Sequence, residues 1–154
     1  MAVIIRAAVL NDINAILALE QSSLSAAHWS LDQYKKRVSD GIFIVGEREG
    51  QLCGFLCARV AAGEWEIENV VVAPELRGQG IGSELMQSLI NQWKAAGGTA
   101  ILLEVRESNA AARALYERCG LREVGRRRNY YPNPVEDAVL YARNREPIVT
   151  SSQG

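Results

Sequence analysis

The stretch Val-Val-Val-Ala-Pro-Glu-Leu-Arg-Gly-Gln-Gly-Ile-Gly-Ser, residues 70–83, joins an apolar run to an amphipathic helix pattern and decides the fold. Its glycines, Gly78, Gly80 and Gly82, let backbone N–H groups converge on an anion, and the following helix adds unpaired N–H groups and its positive dipole end. Arg77 can add a charge-assisted contact. The stretch therefore predicts a phosphate- or pyrophosphate-binding turn between a strand and a helix. A glycine-rich connection that only turns the chain is the alternative.

Two common nucleotide-binding motifs do not match this turn. No Gly-Lys-Ser or Gly-Lys-Thr follows the glycines, which excludes a P-loop. The spacing is Gly-x-Gly-x-Gly, whereas a Rossmann turn has Gly-x-Gly-x-x-Gly. Residues 73–77 also separate the strand from the first glycine, although a Rossmann turn is tight. A dinucleotide site of the Rossmann type is therefore not expected.

The hydrophobic pattern around this stretch predicts a mixed α/β sheet domain in the order β-α-α-β-β-β-α-β-α-β-β. This domain covers residues 1–142, and residues 143–154 form a polar tail that we expect to be loose. The expected strands cover residues 3–7, 42–47, 52–61, 65–72, 99–106, 121–125 and 136–142, with a loop of Arg, Asn, Tyr and Pro between the last two. The expected helices begin at a cap on Asn11 or Asp12, with apolar residues to Leu24, at Ser30, at Gly82 and at Ala110.

Local signals support the helices. Ser30 and Gln33 form a capping-box pattern, and Trp29 and Tyr34 stand where a hydrophobic staple would place them. Gly41 is a natural stop for that helix. The helix after the glycine turn has an apolar stripe of Leu85, Met86, Leu89, Ile90 and Trp93.

Composition excludes several classes of protein. The chain has 154 residues, of which 48% are hydrophobic and 23% charged, so it is neither a disordered chain nor a coiled coil. Its net charge of −1 provides no global basic field for nucleic acid or a membrane. Three cysteines, an odd number, favour a reducing cytoplasm, and with His28 as the one histidine no metal site is expected. No signal peptide or membrane span is visible.

Glu104 is the first candidate catalytic group. It lies inside the run Ile-Leu-Leu-Glu-Val, residues 101–105, which we expect to be buried on both faces of the sheet. Desolvation there would raise the carboxyl pKa towards the range of a general base. The alternatives are a structural ion pair with Arg106 or Arg113, or a position at the strand end that stays in water.

Three further groups of residues have two interpretations each. In the segment from Ser108 to Tyr116, Ser108 or Asn109 would cap a helix on which Arg113 and Tyr116 share a face. Tyr116 is then either core packing or a phenol presented to a reacting group. The basic run at residues 126–131 is either an RNA contact or a solvated turn. The carboxylates of Glu64, Glu66 and Glu68 form either a wet edge or an attractive surface for a cationic substrate.

Taken in order, these motifs resemble the GNAT acetyltransferases. The resemblance runs through Val70–Val72, Arg77-x-x-Gly80-x-Gly82, Leu103–Arg106 and Ser108–Tyr116, and it covers residues 3 to 142. Within that family the chain is similar to members that acetylate the N-terminal alanine of a ribosomal protein. This narrower resemblance is carried by His28-Trp29-Ser30, Arg127-x-Asn129-Tyr130-Tyr131-Pro132 and Glu136-Asp137-Ala138.

The resemblance implies acetyl-CoA as the donor and Glu104 as general base, with Tyr116 as general acid. It also implies direct transfer in a ternary complex, without a metal, a membrane or direct contact with nucleic acid. The implied CoA-binding residues are Val70, Val71 and Val72 for the pantetheine arm, Arg77, Gly78, Gln79, Gly80, Ile81, Gly82 and Ser83 for the pyrophosphate, and Asn109.

The implied acceptor is a protein N-terminus, over which Tyr130 and Tyr131 could pack. Two positions depart from the family pattern. Gly78 replaces a second basic residue, and Glu68 replaces an apolar one, so Glu68 could share the base role or shape the acceptor pocket. Other N-termini, lysine side chains or a small amine are alternative acceptors. A CoA-sensing or RNA-binding module without enzymatic activity is the second alternative.

Overall fold

The computed structural model describes residues 2–23 and 29–146, and these residues form seven strands and four α-helices. The strands are β1 (Ile4–Ala7), β2 (Ile42–Arg48), β3 (Gln51–Ala61), β4 (Glu64–Val72), β5 (Ala100–Arg106), β6 (Arg122–Tyr131) and β7 (Glu136–Asn144). The helices are α1 (Ile13–Gln21), α2 (Leu31–Asp40), α3 (Ile81–Ala95) and α4 (Ala110–Arg118). The predicted mixed α/β class and the predicted order of elements are confirmed.

One sheet holds all seven strands, in the order β1-β2-β3-β4-β5-β7-β6. Neighbouring strands run antiparallel except β4 and β5, which are parallel. The parallel pairing runs from Glu64 opposite Ala100 to Glu66 opposite Leu102, and past these residues the two strands separate. This separation opens the sheet at the carboxyl ends of β4 and β5.

The two faces of the sheet carry separate hydrophobic cores. On one side, the buried stripe of α3, including Leu85 and Trp93, packs with Tyr116 of α4. On the other side, Ile16 of α1 and Tyr34 of α2 pack on Phe55. We call these sides the α3 face and the α2 face. Burial of the predicted stripe confirms its helical periodicity.

A β-bulge at Glu68 lets one strand serve both cores. Asn69 pairs with Cys57 and Ile67 pairs with Ala58, so Glu68 is an extra residue in β4. The alternation of apolar and acidic residues along β4 therefore holds up to Glu68 and reverses after it. A single inserted residue has this effect because it exchanges the two faces of the strand. Trp65 and Ile67 lie on the α3 face, whereas after the bulge Val70 and Val72 pack on that face and Val71 on the other.

The local signals around α2 are confirmed. The Ser30 hydroxyl accepts from the Gln33 backbone at 3.3 Å, and the Gln33 side chain accepts from the Ser30 backbone at 2.7 Å. The rings of Trp29 and Tyr34 lie 5.2 Å apart. Gly41 follows the helix with an extended backbone, and a Cβ at this position would collide with Cδ of Arg37. Glycine is therefore required there because the Arg37 side chain passes over it.

Three details differ from the sequence predictions. Residues 126–131 are not a loop but the second half of β6, paired with β7 at Arg126, Arg127 and Tyr131. Strand β7 continues to Asn144, past the predicted boundary at residue 142. The Asp12 carboxylate does not cap α1, because it binds Arg6 at 2.8 and 2.9 Å.

Leu24 and His28 lie outside the described residues. No helix in the described ranges has the length and apolar character needed to cross a membrane.

Candidate active site

A groove of about 560 Å³ lies where β4 and β5 separate, between the end of β4, the start of α3 and α4. Ten of the predicted cofactor-binding residues and one predicted catalytic residue line it: Val70, Val71, Val72, Arg77, Gly78, Gly80, Ile81, Gly82, Ser83, Asn109 and Tyr116. Gln79 is the exception, because its side-chain oxygen accepts a hydrogen bond from Arg48 at 3.2 Å. The structure thus brings together residues from three elements along one cleft.

The glycines of the turn have two different roles. Gly78 and Gly80 have φ angles of 80° and 86°, and an added Cβ at either would meet nothing within 4 Å, so these positions need left-handed backbone freedom. At Gly82 an added Cβ would lie 3.1 Å from Leu115 Cδ2, so this position needs space. The backbone of Glu84 makes the first hydrogen bond of α3, to Gly80. The N–H groups before Glu84 therefore face an anion-binding position at the helix start.

Arg77 and Asn109 stand at opposite sides of the groove. Arg77 Nη2 donates to the Ser23 hydroxyl at 3.3 Å, which brings the residue after the end of α1 to the groove as well. Ser23 was missed because nothing in its sequence neighbourhood indicates a ligand. Asn109, and not Ser108, is the N-cap of α4, since its side chain accepts from the Ala112 backbone at 3.2 Å.

The turn before α4 is held by Glu136. Its carboxylate accepts from the Ser108 backbone at 2.7 Å and from Arg106 Nη1 at 2.9 Å. The hydrogen bonds from Ser108, with that from Arg106, hold the pKa of Glu136 below its usual range. Glu136 therefore remains an anion at neutral pH and fixes the position of α4 relative to β5.

Tyr116 is buried between α4 and the sheet. Its ring lies 6.1 Å from that of Tyr141, whose hydroxyl accepts from Arg113 Nε at 3.0 Å. Arg113 and Tyr116 thus share a face of α4, as predicted. Burial raises the pKa of Tyr116, and Tyr131 raises it further. The phenol therefore keeps its proton at neutral pH, which a proton donor requires.

The expectation that Glu104 is desolvated is wrong. Leu103 and Val105 face the core on the α3 face, so the alternation of β5 points Glu104 to the α2 face, where a third of its side chain is exposed. Its Oε1 atom lies 3.0 Å from Arg127 Nε, so the ion pair forms with Arg127 and not with Arg106 or Arg113. The sequence could not reveal this partner, which lies on β6.

Glu68 stands opposite Glu104 at the mouth of the separation. The last parallel pair is Glu66 with Leu102, so Glu68 and Glu104 each lie two residues farther along. Glu68 Oε1 lies 2.7 Å from Arg37 Nε, and its Oε2 accepts from Arg37 Nη2 at 3.3 Å. Two carboxylates, each with an arginine partner, therefore flank the opening on the α2 face.

The two tyrosines at the end of β6 pack edge to face. The rings of Tyr130 and Tyr131 lie 5.1 Å apart, with the guanidinium groups of Arg127 and Arg106 over them at 5.7 and 4.6 Å. Burial raises the pKa of Tyr131 to about 12, and the charge of Glu104 contributes.

The basic run has acidic partners. Arg126 binds Glu107 and Glu123, both at 2.6 Å, while Arg127 binds Glu104. Two of its three arginines are thus neutralised locally, which weakens the case for an RNA-binding strip. In the part of the chain that the structure describes, no three His, Cys, Asp or Glu side chains cluster in a way that could hold a metal ion.

The groove, the glycine turn and the separated parallel strands together define a class of protein. The chain matches the model of the acetyltransferase (GNAT) family over residues 10–121, and it belongs to that family. The predicted class of enzyme, an acetyltransferase, is confirmed. GNAT enzymes in general use acetyl-CoA.

Several of the similar proteins are named as N-acetyltransferases of a ribosomal-protein alanine. The [ribosomal protein bS18]-alanine N-acetyltransferase of Salmonella typhimurium is 35% identical over 143 residues, which cover 84% of this chain and 96% of the relative. The Escherichia coli protein of that name is 40% identical over 97 residues, 62% of this chain and 66% of the relative. The crystal structure of the Escherichia coli ribosomal-protein-S18-alanine N-acetyltransferase superposes with a TM-score of 0.86, at 32% identity, over 93% of this chain and 94% of that one.

Proposed function

We propose that this chain transfers the acetyl group of acetyl-CoA to the N-terminal alanine amine of a ribosomal protein in the cytoplasm. The observation that carries the proposal is the groove that joins the glycine turn to Tyr116, together with Glu104, which lies two residues past the last pair of β4 and β5. The names of the relatives, at 35% identity over most of the chain, support the acceptor.

The residues of the groove fit acetyl-CoA. The N–H groups at the start of α3, with Arg77, suit the pyrophosphate, since backbone donors and a helix N-terminus favour anions. The pairing of β4 with β5 ends at Glu66, so the backbone groups of Val70, Val71 and Val72 are not paired with β5. These groups suit the amides of the pantetheine arm, and Asn109 lies across the groove from them. When bound, acetyl-CoA supplies an activated thioester.

Glu104 and Tyr116 would carry the two proton transfers. An α-amine has a pKa of about 7.7–8.0, so about half or more of it is protonated at neutral pH. Glu104 Oε1 binds Arg127, and Oε2 is the atom available to accept the amine proton, directly or through a water molecule. Tyr116, which retains its proton because it is buried, would return one to the departing sulfur.

Direct transfer in a ternary complex needs no enzyme nucleophile, and the cysteines suit that mechanism. Cys53 and Cys57 are buried, and burial raises the pKa of both thiols. Cys119 is partly buried, and its pKa is raised for the same reason. Since the thiolate is the nucleophilic form, all three are poor candidates for a covalent intermediate.

The exposed Tyr130 favours a peptide acceptor over a small amine. Half of its surface is open to solvent at the edge of the sheet, beside the more buried Tyr131. An extended chain entering at Glu104 would pass over these rings. The neutralised arginines of β6 make a role in RNA binding the weaker alternative.

A peptide panel tests the proposal. The purified protein is mixed with acetyl-CoA and short peptides that differ in their first residue, with an α-amine-blocked peptide containing lysine as the control. Mass spectrometry locates the acetyl group. We expect acetylation of the free N-terminal alanine, which Glu104→Gln reduces about 10²-fold or more while acetyl-CoA binding persists. Acetylation of lysine alone, or none despite tight acetyl-CoA binding, would retain the fold and refute the acceptor.

A further inference from the structure

We infer that the Arg37–Glu68 ion pair is the specificity wall of the acceptor pocket and selects a small first residue. This inference rests on the proposed function, because it concerns the peptide whose amine Glu104 receives. It gives Arg37 and Glu68 a role that differs from that of the base.

The position of the pair follows from the register of the sheet. Glu68 and Glu104 each lie two residues past the last pair of β4 and β5, and both lie on the α2 face. Paired strands are about 4.8 Å apart, and these two diverge from that spacing. When the N-terminal amine of the acceptor peptide reaches Glu104 between the strands, the α-carbon and the first side chain of the peptide therefore lie next to Glu68.

The two carboxylates are not equivalent. Both oxygens of Glu68 contact Arg37, and its side chain is 17% exposed. Glu104 contacts Arg127 through one oxygen, and its side chain is 33% exposed. Glu104 thus has an oxygen available for a proton, whereas Glu68 is a fixed charge whose partner holds it in place. This difference assigns the base role to Glu104 and a boundary role to Glu68.

Arg37 is held as firmly as Glu68. Its side chain passes over Gly41, where any larger residue would collide with it. Its guanidinium also lies 3.5 Å from Asp40 and 5.7 Å from the ring centre of Trp29. The next residue of β4 extends the polar wall, because the Asn69 amide donates to the buried Tyr34 hydroxyl at 3.2 Å. The wall is therefore rigid and polar along the whole bulge.

Such a wall discriminates between side chains by solvation. The pair is partly exposed and keeps some of its water. A leucine or methionine side chain pressed against it would remove that water and offer no hydrogen bond in return, which is unfavourable for charged groups. The methyl group of alanine leaves most of that hydration in place. The pair therefore favours alanine and other small first residues over large apolar ones.

The test begins with the unaltered enzyme. Values of kcat/KM are measured for peptides that begin with Ala, Ser, Leu or Met and are otherwise identical. We expect kcat/KM for the alanine peptide to exceed the values for the leucine and methionine peptides by about tenfold or more. A difference of one or two methylene groups in a substrate changes kcat/KM by about this factor. Equal values for all four peptides would overturn the inference but leave the proposed function intact. Failure of every peptide would instead refute the proposed function.

Two double variants then remove the pair without leaving a lone charge: Arg37→Leu/Glu68→Leu and Arg37→Met/Glu68→Met. The matched control is Arg59→Met/Glu66→Leu. It removes the exposed ion pair between β3 and β4, in which Arg59 and Glu66 are 3.3 Å apart, at the last residue of β4 that pairs with β5. Thermal melting and acetyl-CoA binding show which variants fold.

The inference predicts that the ratio of alanine to methionine peptides falls at least tenfold in a folded double variant, with acetyl-CoA binding unchanged. The control should keep the ratio of the unaltered enzyme. An unchanged ratio in the folded double variants, or an equal fall in the control, would overturn it. If neither double variant folds, equal values for the four peptides in the unaltered enzyme would still overturn the inference.

Discussion

Nε of Arg127 lies 3.0 Å from Oε1 of Glu104, so the carboxylate proposed as the base already has a cationic partner on β6. This contact links the reacting centre to the hairpin of β6 and β7. The guanidinium contacts Oε1, which leaves Oε2 as the oxygen proposed to accept the proton. Arg127 is therefore a positioning residue, which acts through Glu104 and not on the substrate.

Substitution of Arg127 tests that role. Arg127→Gln should lower kcat about tenfold, because a carboxylate without its partner samples several orientations, and should leave KM for acetyl-CoA unchanged. Arg127→Lys should restore part of the activity. Steady-state kinetics measure both effects. Arg126→Gln is the matched control, since Arg126 binds Glu107 and Glu123 instead. A rise in KM for acetyl-CoA, with kcat retained, would contradict the positioning role.

Tyr116→Phe should lower kcat about 10²-fold, the lower end of what general acid catalysis contributes. The ring remains and continues to pack against Tyr141, so the melting temperature should change little. Isothermal titration should show normal acetyl-CoA affinity. Full activity of Tyr116→Phe would remove Tyr116 from the mechanism.

Gly82→Ala should raise KM for acetyl-CoA about tenfold, because the new Cβ would lie 3.1 Å from Leu115 Cδ2 and narrow the groove. Stability should not fall, since alanine is favoured over glycine in a helix by about 1 kcal/mol. Gly50→Ala is the control, for which we expect the opposite result. Its φ angle of 79° makes alanine costly by about 1–2 kcal/mol, in a turn outside the groove, so stability should fall and KM should not change. Identical KM values for the two variants would contradict this account.

Alkaline pH should unfold the protein as its buried tyrosines ionise. Burial raises the pKa of Tyr34, Tyr116, Tyr131 and Tyr141, with Tyr131 at about 12. In the unfolded chain tyrosine loses its proton near pH 10 (about the reference pKa), so the folded state binds more protons above that pH. The contribution of these tyrosines to the free energy of unfolding should therefore be constant below about pH 10 and fall as the pH rises above that value.

Tyrosinate absorbance and circular dichroism, recorded on the same samples, measure this effect. The ionisation of these tyrosines should coincide with the loss of ellipticity. A sample in denaturant gives the reference titration near pH 10. Full ionisation at that pH in a protein that keeps its ellipticity would show that the four phenols are not protected.

Much of the fold follows from local chemistry. The capping box of α2, the stripe of α3 and the glycines before it each depend on residues close in the chain, and each lies where the pattern predicts. The groove is predictable for the same reason, because most of its lining comes from the turn after β4 and the start of α4. These features need no knowledge of distant partners.

The errors occur where distant residues decide the outcome. Residues 126–131 carry charged and turn-forming side chains, and pairing with β7 makes them a strand in spite of that composition. Glu104 sits in an apolar run but faces Arg127, which a pattern within β5 cannot show. The bulge at Glu68 depends on how β3 pairs with β4. Each case is a tertiary contact that overrides local preference.

The extra residue in β4 has a consequence for how such an enzyme diversifies. Because Glu68 has no counterpart on β3, its side chain is free of the cross-strand packing that constrains its neighbours. Mutations that change its chemistry leave the register of the sheet as it is, whereas loss of the residue would turn Val70, Val71 and Val72 to the wrong sides. In the role that we propose for Glu68 at the acceptor pocket, a change of this amino acid would alter the acceptor, while the number of residues in the strand stays under strict constraint.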